Sequence, residues 1–133
     1  TVGAGSGSNI GTLNINAAAI NINQAALGAV NFGDLITTSG DIAIATDSTV
    51  GFSGTVTAAS GHDVSITSNL GTINQTAGTI RGRQVHMSAG GSIVQGQSAT
   101  ITSTGMGTDS FVAGDDLILA GANNMGLWGL TLG

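Results

Sequence analysis

Short segments that alternate apolar and polar residues return along this chain at a nearly fixed interval. Ala19-Ile-Asn-Ile-Asn, Asp41-Ile-Ala-Ile-Ala, Asp63-Val-Ser-Ile-Thr and Gln84-Val-His-Met-Ser put their first apolar residue at Ile20, Ile42, Val64 and Val85, in steps of 22, 22 and 21. Ile22, Ile44, Ile66 and Met87 keep the same steps. A second series runs through Val30, Val50, Leu70 and Ile93, with Phe32, Phe52 and Ile73 as followers, and a third through Ile36, Val56, Ile80 and Ile101. Each run is too short and too strictly two-periodic for a helix, and each is bounded by Gly, Asn, Asp or Ser, so three strands per repeat are predicted.

Strands of three to five residues cannot bury an apolar face alone. If the chain coils so that each repeat pairs in parallel with the next, like residues stack into continuous internal ladders. The expectation is an all-β parallel β-helix, one unit over 1–133, of about six coils of 20–22 residues and a rod roughly 29 Å long at about 4.8 Å per coil. Gly40, Gly61, Gly82 and Gly114 each precede an alternating strand, where a sharp corner with positive φ is predicted. The next member of the first series is read at Asp116-Leu-Ile-Leu-Ala, a step of 32 from Gln84, so 102–115 is predicted to be an irregular loop or bulge.

Composition agrees with a solenoid. Of 133 residues 41% are hydrophobic, enough for a core, and there is no Lys, Glu, Pro or Cys. Helical surfaces draw on Lys and Glu, so Thr, Ser, Asn and Gly must cover the outside. No disulfide or thiolate metal site can form, and repetition has to supply the stability. Seven Asp against Arg81 and Arg83 give a net charge of −5, which argues against nucleic acid and anionic membranes as partners. No apolar run approaches the roughly 18 residues of a membrane span and no signal peptide opens the chain, so Thr1 is expected to begin a mature or excised fragment of a longer solenoid.

The run Gly71-Thr-Ile-Asn-Gln-Thr-Ala-Gly-Thr-Ile-Arg-Gly-Arg-Gln-Val-His-Met-Ser-Ala-Gly-Gly-Ser-Ile-Val-Gln resembles the repeats of filamentous haemagglutinin-like exoproteins, in which G-S-I-x-Q, G-x-I-x-G and V-x-L-x-A-G-G strands follow one another around each coil. The likeness of pattern extends from about Asn31 to the end, and includes Ser110 to Asn124 and Leu127-Trp-Gly-Leu-Thr-Leu-Gly. It implies a right-handed helix and a secreted or surface-displayed bacterial protein exported with an outer-membrane secretion partner. The Asn-Pro motifs of that family's secretion domain are missing, which the resemblance reads as a stalk segment. Its implied work is structural or adhesive, on glycans or cell-surface receptors, and not enzymatic. A self-stacking filament subunit is the alternative within that class, because an uncapped solenoid end invites end-to-end association.

Few residues suggest chemistry. His62 at a corner and outward-facing His86 are not expected to converge. Asp109, Asp115 and Asp116 form the one acidic cluster of the sequence and the one place for calcium; otherwise no cofactor is expected. Thr55, Thr79 and Thr100 are predicted to form one outward column and Thr37, Thr57, Arg81 and Thr102 the next; flat threonine columns also raise an ice-binding solenoid as a rival function, although threonine is a common strand residue. The 105–115 loop is the expected contact segment. Trp128 is either a sugar-stacking surface or part of an end cap. Asn14, Asn16, Asn21 and Asn23 are read as stacked amide ladders.

Overall fold

The computed structural model describes residues 12–25 and 28–132, with the backbone alone for 127–132. It is a β-solenoid of parallel strands, without a helix among the described residues, that winds through about five turns. Six strands stacked on one face enclose five turns, which is one fewer than the sequence suggested.

That first face stacks β2 (Ile20–Gln24), β4 (Ile42–Thr46), β7 (Val64–Ser68), β10 (Val85–Ala89), β13 (Thr108–Ala113) and β15 (Leu127–Leu132). The other two faces share one sheet, because β3 (Val30–Thr37) is long enough to bend across both and pairs with β1 (Thr12–Ala17) along its length. Its first half continues into β5 (Val50–Phe52), β8 (Ile73–Gln75), β11 (Ile93–Gln95) and β14 (Leu117–Leu119). Its second half continues into β6 (Val56–Thr57), β9 (Thr79–Gly82) and β12 (Thr100–Ser103).

The two-residue alternation of the strands becomes the inside and outside of the coil. Ile42, Val64 and Val85 lie in register, as do Ile44, Ile66 and Met87, and all are buried. On the second face the ladder is Val30, Val50, Ile73 and Ile93. Leu70, read from the sequence as a member, is 75% exposed at a corner. On the third face Leu35, not Ile36, pairs with Val56, followed by Ile80 and Ile101. Phe32 and Phe52 stack across one coil boundary with ring centroids 5.5 Å apart.

The stretch predicted as loop at 102–115 is mostly strand. Ser110 and Phe111 of β13 pair with His86 and Met87, so the first series continues at 108–113 and Asp116-Leu-Ile-Leu-Ala belongs to the second face, where Leu117 pairs with Ile93. An ionisable residue at the inward position concealed this strand. Asp109 stands in register with Val85, where the earlier coils carry aliphatic residues.

Polar groups inside the coil are satisfied. Buried Gln95 donates from Nε2 to Gln75 Oε1 at 3.2 Å and to Asn123 Oδ1 at 2.7 Å, and its own Oε1 accepts from Asn123 Nδ2 at 2.8 Å and from the Gly121 N–H at 3.0 Å. Among the described residues no buried side-chain nitrogen or oxygen lacks a partner.

The corners explain the surface composition. Asn14 Oδ1 accepts the Asp34 N–H and Asp34 Oδ1 that of Thr55; Asp41 Oδ1 accepts from Asp63 and Asp63 Oδ1 from Gln84. Thr49, Thr72 and Ser92 hydroxyls accept in turn from the Thr72, Ser92 and Asp116 N–H groups. Where the chain turns between strands, short side-chain oxygens thus bond the backbone of the following coil. Of the four glycines predicted to turn corners with positive φ, only Gly61 does so, at 81°. Gly114 is needed for a different reason: a Cβ there would overlap the Gly90 carbonyl oxygen of the preceding coil.

Candidate functional site

The predicted threonine columns lie on the third face. Thr55, Thr79 and Thr100 each stand one residue before the inward residues Val56, Ile80 and Ile101, and the Thr79 and Thr100 hydroxyls bond each other at 2.9 Å. In the neighbouring column Thr57, Arg81 and Thr102 are in register, preceded by Ile36. Thr37 is absent from that column. It is buried, donating to the Gly40 carbonyl at 2.5 Å and accepting the Ala59 N–H at 3.0 Å, because the strand is set one residue away from the predicted register.

The three aspartates do not converge. Asp115 and Asp116 are exposed, whereas Asp109 is fully buried. Asp109 Oδ1 accepts the Val85 N–H at 2.8 Å, and Oδ2 accepts the Ser103 hydroxyl at 2.6 Å and the Gly126 N–H at 3.2 Å. Its oxygens hold three segments of chain together, so the ligand set read for calcium does not assemble. Among the described residues no three His, Cys, Asp or Glu side chains are placed to hold a metal ion. Trp128 pairs through its backbone with Asp109, and its side chain lies outside the described atoms. Asn14, Asn16, Asn21 and Asn23 are exposed, but Asn21 and Asn23 pair with Ala43 and Ala45, so no amide ladder forms there.

Charge collects instead at the corner between the third face and the first. His62 Nδ1 lies 3.0 Å from Asp41 Oδ1. Arg83 donates from Nε to Asp63 Oδ1 at 2.9 Å and from Nη2 to Oδ2 at 2.6 Å, a two-point pair that matches guanidinium and carboxylate geometry. The Arg83 hydrogen bond, more than any other influence, draws the Asp63 carboxyl below the ordinary carboxylate value. Beside this corner runs an open groove of about 460 Å³, lined among others by Thr57, Ala58, Ser60, Arg81, Arg83 and Thr104. Arg81 reaches it because β9 alternates: Ile80 and Gly82 turn inward and Arg81 stands out between them. Both arginines of the chain therefore line one groove.

Sequence reasoning places Arg81 in a column of threonines and counts it as one of two cations, and gives it no binding role. The available signal was that the only two strong cations lie two residues apart; the groove itself depends on the path of the corner, which no strand pattern encodes.

Comparison with protein-family models, with curated proteins and with solved structures found no match to this chain.

Proposed function

We propose that this chain is a structural and adhesive segment of a secreted or surface-displayed bacterial exoprotein, a stiff spacer whose lateral faces meet glycans or receptors on cells. The observation that carries the reading is the in-register stacking of coils on every face, which makes the molecule a rod bonded along its own axis. Its interior is filled by ladders and satisfied amides, leaving the Thr/Asn/Ser faces, the corners and one cationic groove for contact. The placement in an exoprotein draws on the repeat resemblance, and the motif residues Val85–Ala89, Ile93–Gln95 and Thr79–Gly82 fall on three successive faces of the coil, as that pattern requires.

Small-angle scattering of the purified chain tests the rod, with a cross-section that stays constant along the axis as the expected result; a profile of an expanded chain would sink it. A glycan array tests adhesion, and signal no higher than that of an unrelated acidic protein would leave only the spacer. A self-stacking filament draws on β2, β14 and β15, each paired on one side only among the described residues. Electron microscopy of the same sample separates single rods from filaments.

A further inference from the structure

We propose that the groove carrying Arg81 and Arg83 binds an acidic saccharide, with the carboxylate of a uronic acid residue held by Arg81. The proposal deepens the adhesive reading and rests on it. The chain has seven carboxylates and two guanidiniums, and both guanidiniums line this groove. They are not equivalent. Arg83 spends two donors on Asp63, which offsets its charge and fixes its plane. Arg81 is exposed and, among the described residues, no carboxylate lies within ion-pairing distance of it, so its five-donor fork is open to a planar anion.

The rest of the lining says what kind of anion. Thr57, Ser60 and Thr104 present hydroxyls, Ala58 keeps the floor low, and no large apolar side chain offers a wall for a lipid tail. A volume of about 460 Å³ falls within the range of small-ligand sites. An acidic peptide would dock most strongly by adding a strand to an open sheet edge. That route is closed here, since β9 is flanked by β6 and β12 and its backbone is already paired. A hydroxyl-rich ligand that bonds through side chains and carries its own carboxylate fits what remains. With one unpaired arginine at a wet site, binding is expected to be weak and to fade with salt.

The test is a titration of the whole ¹⁵N-labelled chain with a tetramer of galacturonic acid at low salt, followed by NMR. Saturable shifts confined to 57–60, 81–83 and 104 are expected, with binding weakened about tenfold or more by Arg81→Ala, and by a further factor of several at 0.3 M salt. Two comparison probes run alongside: the fully methyl-esterified tetramer, which keeps the sugar and loses the charge, and oligoglutamate, which keeps the charge and loses the sugar. Neither should match the acid tetramer. The proposal is overturned by an absence of saturable shifts, by shifts elsewhere, by equal binding of either comparison probe, or by Arg81→Ala binding as well as the parent. Circular dichroism and scattering of the variant show whether the rod is intact, so a lost groove is distinguished from a lost scaffold.

Discussion

Asp109 takes, one coil further on, the inward position of Val85, and its carboxylate accepts the Val85 N–H at 2.8 Å. A carboxylate has replaced an aliphatic rung, and it does so by joining β10, the end of β12 at Ser103 and the approach to β15 at Gly126.

Asp109→Ala should therefore cost about 1–3 kcal/mol, since it leaves the buried Val85 N–H without its acceptor, whereas Asp109→Asn, which keeps an acceptor, should cost less. Urea unfolding gives both numbers. A loss below about 0.5 kcal/mol for the alanine variant would show that the Val85 N–H finds another partner.

Gln95 makes a second test of satisfied polarity. Gln95→Leu extends an apolar ladder and looks favourable by area alone, yet it strips partners from Gly121, Asn123 and Gln75. The expected result is destabilisation by about 1–3 kcal/mol, with the loss concentrated in hydrogen exchange of 93–101 and 121–124. A more stable variant would mean that hydrophobic gain outweighs the amide network.

Leu70 and Ile73 decide the register of the second face. Ile73→Ala should cost about 2–5 kcal/mol by opening a cavity, and Leu70→Ser should stay within about 0.5 kcal/mol because its side chain is exposed. The reverse order in thermal or urea melts would place Leu70 inside.

The Asp63–Arg83 pair predicts a pH response. The Asp63 pKa is lowered in the folded chain, first by the Arg83 hydrogen bond, so the unfolded chain binds the proton more readily. The contribution to stability is present above the ordinary carboxylate value of 3.8 and is lost as pH falls through the lower folded value. Arg83→Gln should move the Asp63 carboxyl back toward 3.8 in an NMR titration and flatten the acid limb of the stability curve. Because the pair is solvent-accessible, the effect should be small and reduced by salt.

The solenoid was legible because alternation and a nearly constant step survive in Ile20, Ile42, Val64 and Val85 whatever else the chain does. It blurred where two apolar residues adjoin, as at Leu35 and Ile36, since a slip of one residue exchanges inside for outside and local pattern cannot choose between them. Pattern also failed at Asp109, where burial is made possible by donors from three separate segments. The groove was harder still: Arg81 and Arg83 are plain in the sequence, but their shared concavity is a property of stacked corners.

Those corners have a direction. In the runs from Asn14 to Thr55, from Asp41 to Gln84 and from Thr49 to Asp116, the side-chain oxygen belongs to the earlier coil and the N–H to the later one. Each of these coils thus turns its side-chain oxygens toward the backbone donors of the coil that comes after it in sequence. In these three runs the corner bonds follow the sequence: a polar side chain of one layer holds the backbone of the next, and the rod has distinct leading and trailing ends.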